Sequence, residues 1–193
     1  MPTQSKEAPG DLAAVRGFVN TRDIDLDTDA LDTPARLAEW LAGRGLLDAG
    51  VPAGEADLRR AVALREALRE LLLSNNDGHA AEAAAPTVLD EVAARAELRL
   101  RAGAEGRTWL EAQAPGVDGA LGRLLIIVYR AMEADTWARL KACRNDTCRW
   151  AFYDHSKNRS GHWCTMSVCG NRQKARGYRE RRRARSPQVG GVS

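Results

Sequence analysis

Long apolar runs are missing from this sequence of 193 residues. No stretch approaches the roughly 20 consecutive apolar residues that a membrane-spanning helix needs. The N-terminus also lacks the basic start and short apolar run of a signal peptide. These absences predict a cytoplasmic protein that does not enter a membrane.

Motifs of the common enzyme classes are absent as well. The sequence has no Walker A motif, no G-x-G-x-x-G after a strand, no H-E-x-x-H and no G-x-S-x-G. Its 3 histidines offer little general-base chemistry. We therefore predict that the protein is not an enzyme.

Acidic residues are scarce toward the C-terminus. From Arg139 to Arg185 there are 14 Lys/Arg against 3 Asp/Glu, a balance of +11, which leaves 15 of the 29 basic and 23 of the 26 acidic residues to the rest of the chain. The basic segment needs a polyanionic or acidic partner, whereas the acidic remainder disfavours non-specific binding.

The apolar pattern predicts a mainly α-helical fold with one small β-hairpin, which is an α+β class. The length and the 44% apolar content predict one main core with a small satellite. Thr33 before Pro34 is typical of a helix N-cap, the run from Ser74 to Gly78 predicts a helix end, and alternation around Gly103 and Gly106 predicts the hairpin. The predicted helices cover residues 12–19, 34–41, 58–72, 87–94 and 118 to 137 or 140.

All 4 cysteines stand in the last third of the chain, as Cys143-x4-Cys148 and Cys164-x4-Cys169. Zn²⁺ takes four soft ligands at the corners of a tetrahedron, and a closely spaced pair lets one turn present two thiolates to the same ion. The spacing predicts one structural Zn²⁺ held by Cys143, Cys148, Cys164 and Cys169. Such a closed site has no open position for hydrolysis.

The spacing leaves other interpretations open. A redox or disulfide role or free thiols are the alternatives for the cysteines, and His155 or His162 are alternative ligands. Four aromatic residues between the pairs either stack on bases or form a small core around the metal, and the small size of the segment favours the core. These residues are Trp150, Phe152, Tyr153 and Trp163.

A dense basic run follows the last cysteine. The dipeptide Cys169-Gly170 suits a tight turn into a helix whose amides and cationic side chains fit phosphate. A solvated basic tail is the alternative, but the adjacent zinc site favours nucleic-acid binding. The predicted contact residues are Asn171, Arg172, Lys174, Arg176, Arg179, Arg181, Arg182 and Arg183.

Short polar residues follow the first apolar helix. Asn20 and Thr21 are candidates to bind a small-molecule ligand through hydrogen bonds. The alternative, which residue preferences favour, is that they cap the helix or complete a turn.

The quoted C-terminal residues resemble a known family. The Cys-Gly-Asn-Arg run at 169–172 resembles the signature of the CGNR zinc-finger family, and the cysteine pairs with the adjoining Arg-Trp-Ala-Phe-Tyr-Asp and Trp-Cys-Thr-Met runs fit the same pattern. The N-terminal part is similar to the helical ABATE domain through Phe-Val-Asn-Thr at 18–21 and through Trp-Leu at 40–41 followed by Gly-Leu-Leu at 45–47.

This resemblance implies a bacterial stress-responsive transcription regulator with a treble-clef-like or knuckle finger that binds DNA. The expected organisation is a helical sensor domain at 11–140, a finger with a basic helix at 141–185 and a flexible tail at 186–193. Duplex DNA is the expected partner and the nucleoid the expected location, and a small-molecule effector and a homodimer are left open. An RNA- or ribosome-binding protein and a protein-interaction module are the alternatives.

The sequence departs from the family pattern at one place. Where the family tends to have two arginines before Trp-Cys, this chain has Gly161 and His162. The loss of these charges shifts the expected nucleic-acid contacts toward Asn171, Arg172 and Lys174.

Overall fold

The computed structural model describes residues 6–78, 81, 84–172, 174–176 and 178. These residues form helices joined to three short antiparallel hairpins, so the predicted mainly α-helical fold with a small β component is confirmed. The predicted tail at 186–193 lies outside the described residues. The helices are α1 (Leu12–Val19), α2 (Pro34–Ala42), α3 (Glu55–Asp77), α4 (Ala84–Arg95) and α5 (Gly116–Glu133). The strands are β1 (Arg22–Asp23), β2 (Thr28–Asp29), β3 (Leu98–Ala102), β4 (Thr108–Ala112), β5 (Leu140–Ala142) and β6 (Ala151–Tyr153).

Helix α5 crosses the core, as its apolar sequence predicts. Leu121 and Leu124 are fully buried, and the helix contacts α1, α4 and strand β4. Gly122 lets the β3–β4 hairpin and the residue before it approach, because a Cβ there would overlap the Cβ of Ala96 and lie 3.0 Å from that of Ala112. The helix starts before Asp118, which lies in the first turn and accepts a hydrogen bond of 3.0 Å from Arg60. In the described residues no helix is long and apolar enough to span a bilayer.

The first two helices follow the predicted bounds closely. In α1, Val15 and Phe18 are fully buried on one face. Helix α2 begins with the predicted cap, in which the hydroxyl of Thr33 accepts a hydrogen bond of 3.3 Å from the amide of Arg36, and Pro34 is the first helical residue.

The predicted end of α3 is confirmed, and the predicted start of α4 is wrong. Helix α3 ends at Asp77, within the predicted run from Ser74 to Gly78, and Gly78 ends it with a φ of 74°. Helix α4 starts at Ala84, so Thr87 is a residue of the helix rather than its cap. The last turn of α3 carries Asn75 and Asn76, whose side chains contact the C-terminal segment.

The β5–β6 hairpin packs on α3 and extends the main core. Leu140, Ala142 and Ala151 are fully buried. A 3-10 turn at Trp137–Arg139 connects α5 to β5, where the sequence predicted a continuous helix. The C-terminal hairpin is therefore a layer of the same core and not a separate appendage.

Candidate metal centre and nucleic-acid interface

The first cysteine pair lies in the loop of the β5–β6 hairpin. Cys143 follows β5, and its amide donates a hydrogen bond of 2.9 Å to the carbonyl of Trp150. The amide of Cys148 donates to the carbonyl of Asn145 at 2.8 Å, which closes a tight turn. Arg149 then reverses the chain with a φ of 52°. This knuckle places both sulfur atoms on one side of the hairpin.

The second pair lies on a loop and on the helical turn that follows it. Cys164 precedes a π-helical turn at Met166–Gly170, and the amide of Cys169 donates to the carbonyl of Thr165 at 3.0 Å. The side chain of Met166 lies against Gly170, where it occupies the space that a Cβ would take. A hairpin knuckle followed by a helical turn with the second pair is a treble-clef-like arrangement.

The four sulfur atoms fit one zinc ion. All of them lie within 4.8 Å of one another, and the Cys148–Cys164 and Cys164–Cys169 sulfur distances are 3.6 and 3.7 Å. Zn–S bonds of about 2.3 Å in a tetrahedron give sulfur–sulfur edges of about 3.8 Å. The cysteines are free thiols rather than disulfides in the structure. The predicted site for one structural zinc is confirmed.

The thiols of the cluster shift one another's pKa through hydrogen bonds. The pKa of Cys143 is lowered because its thiolate accepts hydrogen bonds from Cys148 and Cys164. The pKa of Cys148 and that of Cys164 are raised because each donates to Cys143. Zn²⁺ binds cysteine as the thiolate, so loss of the thiol protons accompanies zinc binding.

Neither alternative histidine ligand belongs to the metal cluster. A ring nitrogen of His155 lies 2.9 Å from the carbonyl oxygen of Glu7. That of His162 lies 2.7 Å from the side-chain oxygen of Asn76. Among the aromatic residues, Phe152 is fully buried, so it belongs to the core and offers no ring to a base.

Two family profiles match the chain. The profile of the CGNR zinc finger matches residues 139–182, which contain the four-cysteine cluster. The ABATE profile, described as "Putative stress-induced transcription regulator", matches residues 12–139, which is more than half of the chain. The chain belongs to the ABATE family. The two matches meet at Arg139, so the ABATE segment is followed directly by a CGNR finger. A search among curated proteins gave no match.

Asn20 of the ABATE segment binds the CGNR finger. Its side-chain amide donates a hydrogen bond of 2.9 Å to the carbonyl of Ala151, and its side-chain oxygen accepts one of 2.7 Å from the amide of the same residue. The hydroxyl of Thr21 donates to the carbonyl of Phe18 at 2.7 Å and accepts from Arg65 at 3.2 Å. The polar groups of both predicted ligand-binding residues thus bind within the protein, and ligand binding by them stays a prediction.

Helix α3 supplies further contacts that the sequence analysis missed. The side-chain amide of Asn76 donates to the carbonyls of Ala142 at 2.6 Å and of His162 at 2.9 Å. The buried guanidinium of Arg69 donates to the carbonyls of Arg149 at 3.0 Å and of Val19 at 2.8 Å. The position of Arg69 on the apolar face of a predicted helix was the signal in the sequence. An arginine side chain is buried only when it is paired, so this position predicts a polar partner.

A buried ion pair fixes the loop between β6 and the second cysteine pair. The ammonium of Lys141 lies 2.9 Å from a carboxylate oxygen of Asp154, and both side chains are almost fully buried. Hydrogen bonds from Ser156, Lys141 and Gly161 lower the pKa of Asp154, although burial alone would raise it. A Cβ at Gly161 would lie 2.9 Å from the carboxylate carbon, so the glycine lets the loop close over this pair.

The predicted nucleic-acid residues begin directly after the zinc turn. Residues 171, 172, 174–176 and 178 are helical, and Asn171, Arg172, Lys174 and Arg176 are exposed. The side chain of Asn171 donates to the carbonyl of Ser167 at 3.0 Å, and the guanidinium of Arg172 binds both carboxylate oxygens of Asp25, at 2.9 and 3.1 Å. The other predicted contacts lie outside the described residues, namely Arg179, Arg181, Arg182 and Arg183.

Proposed function

We propose that this ABATE protein regulates transcription by binding duplex DNA through its CGNR finger and has no catalytic activity. The observation that carries the proposal is the position of the basic segment. Cys169 is both a zinc ligand and a residue of the turn that leads into the helical residues after 170, so the metal fixes where the exposed cations start. Phosphate contacts by such cations provide most of the affinity of proteins for DNA.

In this proposal, DNA phosphate and the carboxylate of Asp25 compete for Arg172. Both carboxylate oxygens of Asp25 accept from Nη1 of Arg172, and a phosphate would compete for the same guanidinium because it also offers anionic acceptor oxygens. DNA binding then exchanges Asp25 for phosphate. We expect Asp25→Asn to increase DNA affinity at constant salt, and a decrease would mean that the pair positions the finger instead.

A regulatory role for the ABATE segment follows from its contacts with the finger. Asn20 and Asn76 bind backbone groups on the two strands of the hairpin that carries the first cysteine pair. A change in α1 or α3 would therefore move the zinc hairpin. In this proposal the ABATE segment is the sensor and the finger is the output.

Salt dependence tests the proposal directly. Fluorescence anisotropy of a labelled mixed-sequence duplex with the zinc-loaded full chain measures affinity between about 50 and 200 mM salt, where six to ten phosphate contacts lower it about a thousandfold or more. The double variant Arg172→Ala/Lys174→Ala should flatten the slope of log K against log salt by about 0.9 per lost contact. Arg99→Ala, an exposed arginine of β3 outside the finger, is the matched control.

Three results would contradict the proposal. One is an affinity that does not depend on salt, and another is an absence of binding at the lowest salt concentration. The third is stronger displacement by structured RNA than by unlabelled duplex, which would favour the RNA-binding alternative.

A further inference from the structure

A groove on the ABATE segment lies away from the zinc centre. It runs between α1, α5, strand β4 and the turn after α2, with a volume of about 440 Å³. Apolar and charged side chains line it in similar measure, and a cleft of this size holds a small organic molecule. The apolar residues along it are Ala14, Leu46, Leu110, Ala112, Ile126 and Ile127.

Three arginines line this groove, and no carboxylate of the described residues forms a salt bridge with any of them. Arg123 donates a hydrogen bond of 2.8 Å to the carbonyl of Leu46, which fixes its position. Arg44 stacks at 3.8 Å from the ring centre of Trp40, and burial lowers the pKa of this arginine. Within the described part of the chain, Arg130 has no hydrogen-bond or ion-pair partner through its side chain.

The acidic residues of the groove do not cancel this charge. Glu111 is 3.3 Å from Arg101, which lies outside the groove, and it also accepts from Gln113 at 3.4 Å. Asp11 is the other acid, so three arginines and two acids line the groove, and one of the acids is already paired. The excess of arginines beside apolar side chains selects a ligand that is anionic at one end and apolar along the rest.

We infer that this groove binds a small carboxylate with an apolar body. The planar guanidinium groups offer paired donors to the two oxygens of a carboxylate, and the leucine and isoleucine side chains remove the body of the ligand from water. The inference rests on the proposed function only where it treats the ligand as the effector.

The groove is connected to the finger through two elements. Helix α1, which carries Ala14 to the groove, ends next to Asn20 and its hydrogen bonds to Ala151. Helix α5, which carries Arg123 and Arg130, is followed by the short turn that leads into β5. A ligand that draws α1 and α5 together would therefore act on both strands of the zinc hairpin.

Binding is tested with defined probes on the zinc-loaded full chain without DNA. Straight-chain carboxylates from butanoate to decanoate and benzoate should raise the melting temperature with increasing concentration, and calorimetry should give saturable binding. Hexylamine and hexanamide, matched in size to hexanoate, should bind far more weakly because they lack the anionic group. Arg130→Ala, which breaks no contact in the described residues, should lower carboxylate affinity about tenfold or more. Arg99→Ala should leave it unchanged.

Several outcomes would overturn the inference. These are no binding of any carboxylate probe at about 10 mM, equal binding of hexanamide and hexanoate, and unchanged affinity in Arg130→Ala. A further one is a dimer that Arg130→Glu dissociates, because the groove would then be covered by a second copy of the chain. DNA binding does not enter these measurements, so this inference and the proposed function can fail independently.

Discussion

Replacing Asn20 by alanine tests whether this residue binds a ligand or holds the finger. The side-chain amide of Asn20 forms hydrogen bonds with the backbone carbonyl of Ala151 in β6, at 2.9 Å, and with its backbone amide, at 2.7 Å. Ala151 is fully buried, so the variant leaves an amide and a carbonyl without a partner in the core.

The structure sets the size of the expected effect. Each buried backbone group that loses its partner costs about 1–3 kcal/mol, and the half-buried position of Asn20 lets water recover a part, so we expect a loss of about 2–4 kcal/mol. For a chain of this length, about 2–4 °C of melting temperature corresponds to each kcal/mol, which gives a decrease of about 4–16 °C. Asn20→Asp should also be destabilising, since it places a carboxylate oxygen against the carbonyl of Ala151.

The measurement is urea unfolding of the zinc-loaded protein, followed by tryptophan fluorescence. Asn158→Ala is the matched control, because Asn158 is an exposed asparagine of the same finger and should change stability by less than about 0.5 kcal/mol. If Asn20→Ala unfolds at the same urea concentration as the parent, the hydrogen bonds to Ala151 do not hold the finger, and the ligand-binding interpretation gains support.

Three other substitutions probe the finger and the core. Cys164→Ser should reduce bound zinc from one ion per chain to well below one, measured by metal analysis after dialysis, because the remaining three thiolates no longer complete the tetrahedron. Asp154→Asn should lower the free energy of unfolding by about 3–5 kcal/mol, since it leaves Lys141 buried without its counter-charge, and replacing both residues by apolar ones should recover much of the loss. Gly122→Val should cost about 1–3 kcal/mol in the same unfolding assay, because its side chain overlaps Ala96.

The parts of the fold that local pattern governs could be predicted from the sequence. The spacing of Val15 and Phe18 places both on the buried face of α1, and the Thr33-Pro34 cap starts α2 where expected. The end of α3 is less local. Ser74 and the two asparagines disfavour a helix in isolation, but hydrogen bonds from Asn75 to the carbonyls of Trp137 and Leu140, both at 3.0 Å, hold its last turn.

The candidate site, too, could be predicted from the sequence only in part. The equal spacing of the two cysteine pairs predicted the metal and its ligands, because a chelating turn needs only a few consecutive residues. The roles of Gly161 and His162 could not be predicted in this way. In the folded protein one contacts the carboxylate of Asp154 and the other the side chain of Asn76, although the sequence suggested only a loss of charge at these positions.

The sequence by itself determined the helical class, the β3–β4 hairpin and the four-cysteine zinc site, since each depends on residues that are close along the chain. The tertiary structure decided how the finger is attached and which charges are free. Asn20 reaches Ala151 and Arg172 reaches Asp25 across more than a hundred residues of chain, so each pairing exists only once the core has brought the two surfaces together. A polar side chain binds whichever group lies opposite to it after folding, and no local pattern specifies that group.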